Sequence, residues 1–107
     1  MKGIFLDAEG ERAYQVQRAV TTTPLDRLLM VYDLALTACH THDLPATHRA
    51  LRLLSRTLDF DADPELAGHL FRVYEYCQTR LRTGAFEEVA SVLSELRLVW
   101  REAERQS

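Results

Sequence analysis

The side chains able to do chemistry are scattered along this chain rather than gathered. Four histidines (His40, His42, His48, His69) and two cysteines (Cys39, Cys77) are the obvious candidates for metal ligation or nucleophilic work. His40 and His42 are two residues apart, about 200° around a helix, so a regular helix cannot turn both onto one metal. No HExxH, CxxC or Glu-xx-His spacing occurs, no serine or cysteine sits in a nucleophile elbow, and no glycine-rich phosphate loop is present. The residues therefore predict no metal, no cofactor and no enzyme activity. Asp33 is the one acid placed beside an apolar helix stripe, and it reads as a surface carboxylate or a cross-helix acceptor rather than a catalyst. Tyr74 and Tyr76 flank Glu75; buried tyrosine tips need polar partners, which suits inter-helix packing or a binding edge.

The elements that must position these groups are helices. Thr21-Thr22-Thr23-Pro24-Leu25-Asp26 is a helix start: Thr23 can cap orphan N–H groups, Pro24 suits the first turn, and Asp26 places negative charge there. Leu25, Leu28, Leu29, Tyr32, Leu36 and Cys39 then form a stripe, and Met30, Val31 and Leu34 widen it beyond one amphipathic face. This first helix is predicted over 24–40, and a second over 44–58 with Leu44, Thr47, Leu51, Leu54 and Leu58 inward. Asp63-Pro64 starts a third, with Leu66, Leu70, Val73, Cys77 and Leu81 on its core face and Gly84 ending it. A fourth carries Phe86, Val89, Leu93, Leu96 and Trp100. Residues 1–12 read as a flexible lead-in, and 13–20 as a short helix or arm ahead of a helical domain over 13–105. Short connections make the fold all-α, an antiparallel up-down-up-down four-helix bundle. Met30, Val31, Leu34, Val92 and Val99 lie off the narrow seams, and this surplus would line a groove for an added amphipathic helix.

Composition bounds the function. The 107 residues suffice for one domain, with 47% apolar and 27% charged residues, a globular balance. Thirteen basic and sixteen acidic residues are interleaved, for a net charge of −3. This argues against nucleic-acid binding, and Arg49, Arg52 and Arg56 read as a solvated helix face. Cys39 and Cys77 read as small core residues of a reducing cytoplasm. Ile4-Phe5-Leu6 is too short for a signal core, and no run approaches the ~20 apolar residues of a membrane span, so no membrane insertion is expected.

Several stretches together resemble the FliS family of flagellar export chaperones, over roughly residues 13–103. They are Ala13-Tyr14-Gln15, then Thr21-Thr22-Thr23-Pro24 with Leu28-Leu29-Met30-Val31-Tyr32-Asp33, then Glu65-Leu66-Ala67 with Leu70, Tyr74-Glu75-Tyr76, Arg80 and Leu81, and finally Leu96-Arg97 with Trp100. The second is similar to the family's Thr-Ala-Ser-Pro and Leu-Met-Leu-Tyr-Asp run. The resemblance implies a cytoplasmic chaperone that binds the disordered C-terminal segment of flagellin, blocks premature polymerisation and assists delivery to the flagellar type III export apparatus, with export components as further partners. It also implies that Tyr14 gates the groove. The expected partner-binding residues are Tyr14, Val20, Leu28, Val31, Tyr32 and Leu36. Between Asp33 and Leu58, and again between Leu81 and Val89, the chain is shorter than the family pattern by about seven residues, close to one heptad, so one end of the bundle is expected to be trimmed.

Two other classes stay open at this point. A generic helical adaptor or dimerisation module would share the patterning. A small helical enzyme of the chorismate-mutase type would need several basic side chains aimed inward, whereas Arg27, Arg52, Arg72 and Arg97 can all face outward.

Overall fold

The computed structural model describes residues 23–106. It contains four helices: α1 (Pro24–His40), α2 (Leu44–Arg56), α3 (Pro64–Leu81) and α4 (Phe86–Arg105), with no strand among the described residues. The expected lead-in and the 13–20 element lie outside the described residues.

Each of the first three helices starts on a side-chain cap next to proline. Thr23 and Asp26 form a reciprocal capping box: the Asp26 N–H donates to Thr23 Oγ1 at 3.0 Å, and the Thr23 N–H to Asp26 Oδ2 at 3.3 Å. Asp43 Oδ1 accepts from the Ala46 N–H at 3.1 Å, and Asp63 Oδ1 from the Leu66 N–H at 3.1 Å. These bonds satisfy donors that a helix start otherwise strands. The turn after α1 is tight and places His42 at φ 56°, a left-handed angle uncommon outside glycine. The His42 ring stacks on Phe86 with centroids 4.6 Å apart, which helps hold that turn against the start of α4. Gly84, at φ 75°, makes the corresponding turn after α3.

Neighbouring helices pack in cyclic order, α1 against α2, α2 against α3, α3 against α4, and α4 back against α1. The short connections make these neighbours antiparallel. One end of the bundle therefore holds the starts of α1 and α3 and the 57–63 connection. The other holds the tight turns at 41–43 and 82–85. The closest association is α1 with α4, and the loosest is α3 with α4. The core is Tyr32, Ala35, Cys39, Leu51, Leu54, Leu70, Tyr74, Cys77, Leu81, Val89 and Leu93, with Thr47 the one buried polar residue among those described. Thr47 donates to the Asp43 carbonyl at 2.8 Å, which satisfies its hydroxyl inside the first turn of α2.

Three expectations change. Helix α2 ends at Arg56, two residues early, and Leu58 turns into the connection. Leu44 is exposed at the start of α2 instead of buried. On α3 the buried face is Ala67, Leu70, Tyr74, Cys77 and Leu81. That stripe keeps Leu70, Cys77 and Leu81 but has Ala67 and Tyr74 in place of Leu66 and Val73, leaving Leu66 exposed and Val73 half-buried.

Candidate binding groove

Tyr32 on α1, Tyr74 on α3 and Trp100 on α4 meet at the centre of the bundle. The two phenol oxygens lie 2.6 Å apart, and the Trp100 indole Nε1–H donates to Tyr32 Oη at 3.0 Å. This joins three helices, including the diagonal pair α1 and α3, through one buried hydroxyl. Burial pushes both phenols well above the ordinary tyrosine range, although the bonds from Tyr74 and Trp100 oppose that rise at Tyr32. Both therefore stay neutral at physiological pH.

This polar knot forms the floor of an apolar cavity of about 180 Å³. Its walls are Leu28 of α1, Leu58 of the 57–63 connection, Leu66, Ala67 and Leu70 of α3, and the rings of Tyr74 and Trp100, with Thr57, Asp59 and Asp63 on its rim. The early end of α2 leaves this space between α1, α3 and α4.

Leu66 and Trp100, which line the cavity, also belong to the two helices, α3 and α4, that form the neighbouring seam. At the far end that seam is closed by charge. Arg80 Nε donates to Glu88 Oε1 at 2.7 Å, and the Tyr76 hydroxyl donates to Glu88 Oε2. Tyr76 and Arg80 together hold the Glu88 carboxyl below its ordinary range. These bonds mark which sides of α3 and α4 face each other. Val73 and Leu66 stack on the Arg80 side of α3 at heptad spacing. Val92 and Val99 lie on the Glu88 side of α4 together with exposed Glu95, the heptad mate of Glu88. Leu66 and Val99 are 47% and 62% exposed, while Val73, Val92 and Leu96 are half-buried. The result is a partly apolar groove about 20 Å long, estimated from the helical rise, in which these side chains alternate with exposed His69 and Glu95 and which the Glu88 bonds close at one end. The two residues that α3 turns out of the core, Leu66 and Val73, are the ones that line it.

Of the expected partner-binding residues, Leu28 lines the cavity. Val31 and Leu36 are half-buried and pack against the core from α1. Tyr32 is a correction: it is fully enclosed, and its hydroxyl is occupied by Tyr74 and Trp100, so no partner reaches it in this conformation. Tyr14 and Val20 lie outside the described residues. Sequence reasoning missed Tyr74, Trp100 and Leu66 as parts of one surface. A signal existed in Tyr74, which is four residues from Leu70 and three from Cys77, and so fits a helical stripe as well as Val73 does.

Other polar groups have structural partners. Asp33 is the cross-helix acceptor expected of it, taking bonds from Arg97 Nε at 2.6 Å and Nη2 at 3.4 Å. Arg52 and Arg72 are exposed, so neither aims a guanidinium into the bundle as a carboxylate-binding enzyme site would need. A second depression of about 350 Å³ lies at the opposite end, among Cys39, His40, His42, Phe86, Glu87, Ser91 and Ser94. Its lining is too polar to take an apolar helix face. Cys39 and Cys77 are free and buried, and burial pushes the Cys77 thiol up to about 12, which makes it a poor nucleophile.

The family model for the flagellar protein FliS matches residues 8–107. The chain belongs to the FliS family. That family consists of flagellar export chaperones, not enzymes. No curated protein and no solved structure matched the chain. None of the helices among the described residues is long and apolar enough to cross a membrane.

Proposed function

We propose that this protein holds the C-terminal segment of flagellin in the cytoplasm and covers its apolar face, so that the segment cannot polymerise before export. The observation that supports this most directly is the apolar cavity lined by Leu28, Leu66 and Trp100, with exposed Val99 and half-buried Val73 and Val92 along the neighbouring α3–α4 seam. A segment that is disordered alone and folds on binding loses several kcal/mol to ordering, so it needs a long, mostly apolar contact. An amphipathic helix of about four turns would fill the groove as a fifth helix.

In this reading Leu28, Leu66, Val73, Val92 and Val99 contact the client, and Val31 and Leu36 support α1 from beneath. Tyr14 and Val20 keep their proposed role as client contacts, with Tyr14 as the gate. Delivery to the export apparatus, and contact with its components, belong to the same proposal. The shortening expected between Asp33 and Leu58 and between Leu81 and Val89 would fall at the tight turns at 41–43 and 82–85 and shorten the groove at the Glu88 end.

The test is calorimetric titration of the flagellin C-terminal segment into the wild-type protein and into Leu66→Asp and Val99→Asp. Both sites are exposed, so thermal stability should change by no more than about 0.5 kcal/mol while binding falls at least about tenfold. Unchanged binding in both variants would remove the groove from the proposal, and no binding to the wild type would remove flagellin.

A further inference from the structure

Helix α2 carries Arg49, Arg52 and Arg56 and not one acid, in a chain whose net charge is −3. The three sit on the exposed face, away from buried Thr47, Leu51 and Leu54. Elsewhere four arginines are ion-paired, Arg80 with Glu88, Arg97 with Asp33, Arg101 with Glu104 and Arg105 with Glu102, while Arg72 meets His69. Among the described residues, no ion pair engages the three on α2. Leu53, 43% exposed, stands between them. Because α2 lies diagonally across the bundle from α4, this stripe faces away from the α3–α4 groove.

We propose that the outer face of α2 is a second docking surface, and that its partner is an acidic amphipathic helix of another protein. The spacing selects that occupant. Arg49, Arg52 and Arg56 follow an i, i+3, i+7 pattern and span about 10 Å. A helix lying alongside with carboxylates at the same spacing meets all three, and an apolar residue between them covers Leu53. Nucleic acid would need a wider basic footprint than one helix face supplies. Three arginines without an inserted apolar anchor hold an anionic membrane only weakly. Since the stripe and the groove lie on different faces, both can be filled at once.

The probe is a synthetic helical peptide with glutamates at i, i+3 and i+7 around a leucine, labelled for fluorescence anisotropy, with a lysine-substituted peptide as control. The full chain should bind the acidic peptide and ignore the control. Binding should weaken as salt rises past about 0.15 M, where the Debye length is near 8 Å. Arg49→Glu/Arg52→Glu/Arg56→Glu should lose at least about tenfold in peptide affinity, with its circular-dichroism melt and its titration by the flagellin segment unchanged. The proposal is overturned by no binding of the acidic peptide, or by equal binding in the triple variant. It is also overturned if phosphatidylglycerol vesicles, an RNA oligonucleotide or a second copy of the chain engages these arginines more tightly than the peptide does.

Discussion

Tyr32→Phe is the sharpest test of how this bundle is held together. The Tyr32 hydroxyl serves two partners, Tyr74 Oη at 2.6 Å and Trp100 Nε1 at 3.0 Å. Removing it deletes both bonds, each worth about 1 kcal/mol net. It also strands the Tyr74 hydroxyl, whose residue is 1% exposed, at a desolvation cost of roughly 1–3 kcal/mol. Trp100 is half-buried beside the cavity, so its N–H is the less costly of the two groups to leave unpaired. The sum is about 3–5 kcal/mol. Tyr74→Phe deletes one bond and leaves Tyr32 accepting from Trp100, so it should cost only about 1 kcal/mol. In the double variant the stranded hydroxyl is gone, and the loss should fall short of the two singles added together. The assay is urea denaturation followed by far-UV circular dichroism at neutral pH, with the slopes compared to confirm that only stability changed. If Tyr32→Phe costs no more than Tyr74→Phe, or if the two losses add, the shared-hydroxyl account is wrong.

Other consequences are smaller. Thr23→Ala removes the reciprocal cap of α1 and should cost about 1 kcal/mol in the same denaturation assay. Glu88 is held below its ordinary pKa by Tyr76 and then Arg80, so its contribution is present above the ordinary carboxylate range and lost as pH falls through the lowered folded value. Glu88→Gln should flatten that acid limb of a stability–pH profile. Glu104 is raised, first by its hydrogen bond with Asp26. That contribution has the opposite sign, present at low pH and lost as pH rises through the folded value, so Glu104→Gln should raise the melting temperature at neutral pH and not at acid pH. Both phenols of the knot are raised by burial. The same sign rule makes stability fall as pH climbs past the ordinary tyrosine value of about 10, and Tyr74→Phe should shallow that alkaline slope.

The helices were legible because their ends are chemical. Thr23-Pro24, Asp43 with Pro45, and Asp63-Pro64 each couple a capping side chain to a residue that suits a first turn, and all three became helix starts. Gly84 marked a left-handed turn that few residues adopt. The groove was less legible. Periodicity gives the phase of a helix only to within a residue when apolar groups flank both sides of the stripe, and α3 offers both Leu66/Val73 and Ala67/Tyr74. What decided the phase was the Tyr74 hydroxyl finding Tyr32 across the bundle, a contact between residues 42 apart that no local pattern encodes. The same contact explains why Tyr32, read as a client contact, is core. Early termination of α2 was invisible for a related reason: Leu58 continues the stripe, but it is placed against the cavity instead.

The groove and the core share walls, and this couples client binding to the knot. Trp100, the single tryptophan of the chain, donates to Tyr32 on one side and lines the open cavity on the other. A helix seated on Leu66 and Val99 would cover the cavity mouth and remove water from the indole without breaking its bond to Tyr32. Emission of Trp100 should therefore shift to the blue and become harder to quench with iodide as the flagellin segment is added. In Val99→Asp the same titration should leave the spectrum near that of the free protein. A client that binds with full affinity while leaving Trp100 as accessible as before would have to sit elsewhere on the bundle. The exposure of Leu66 and Val99 beside the cavity would then need another explanation, because apolar surface left in water gives up the stabilisation its burial would bring.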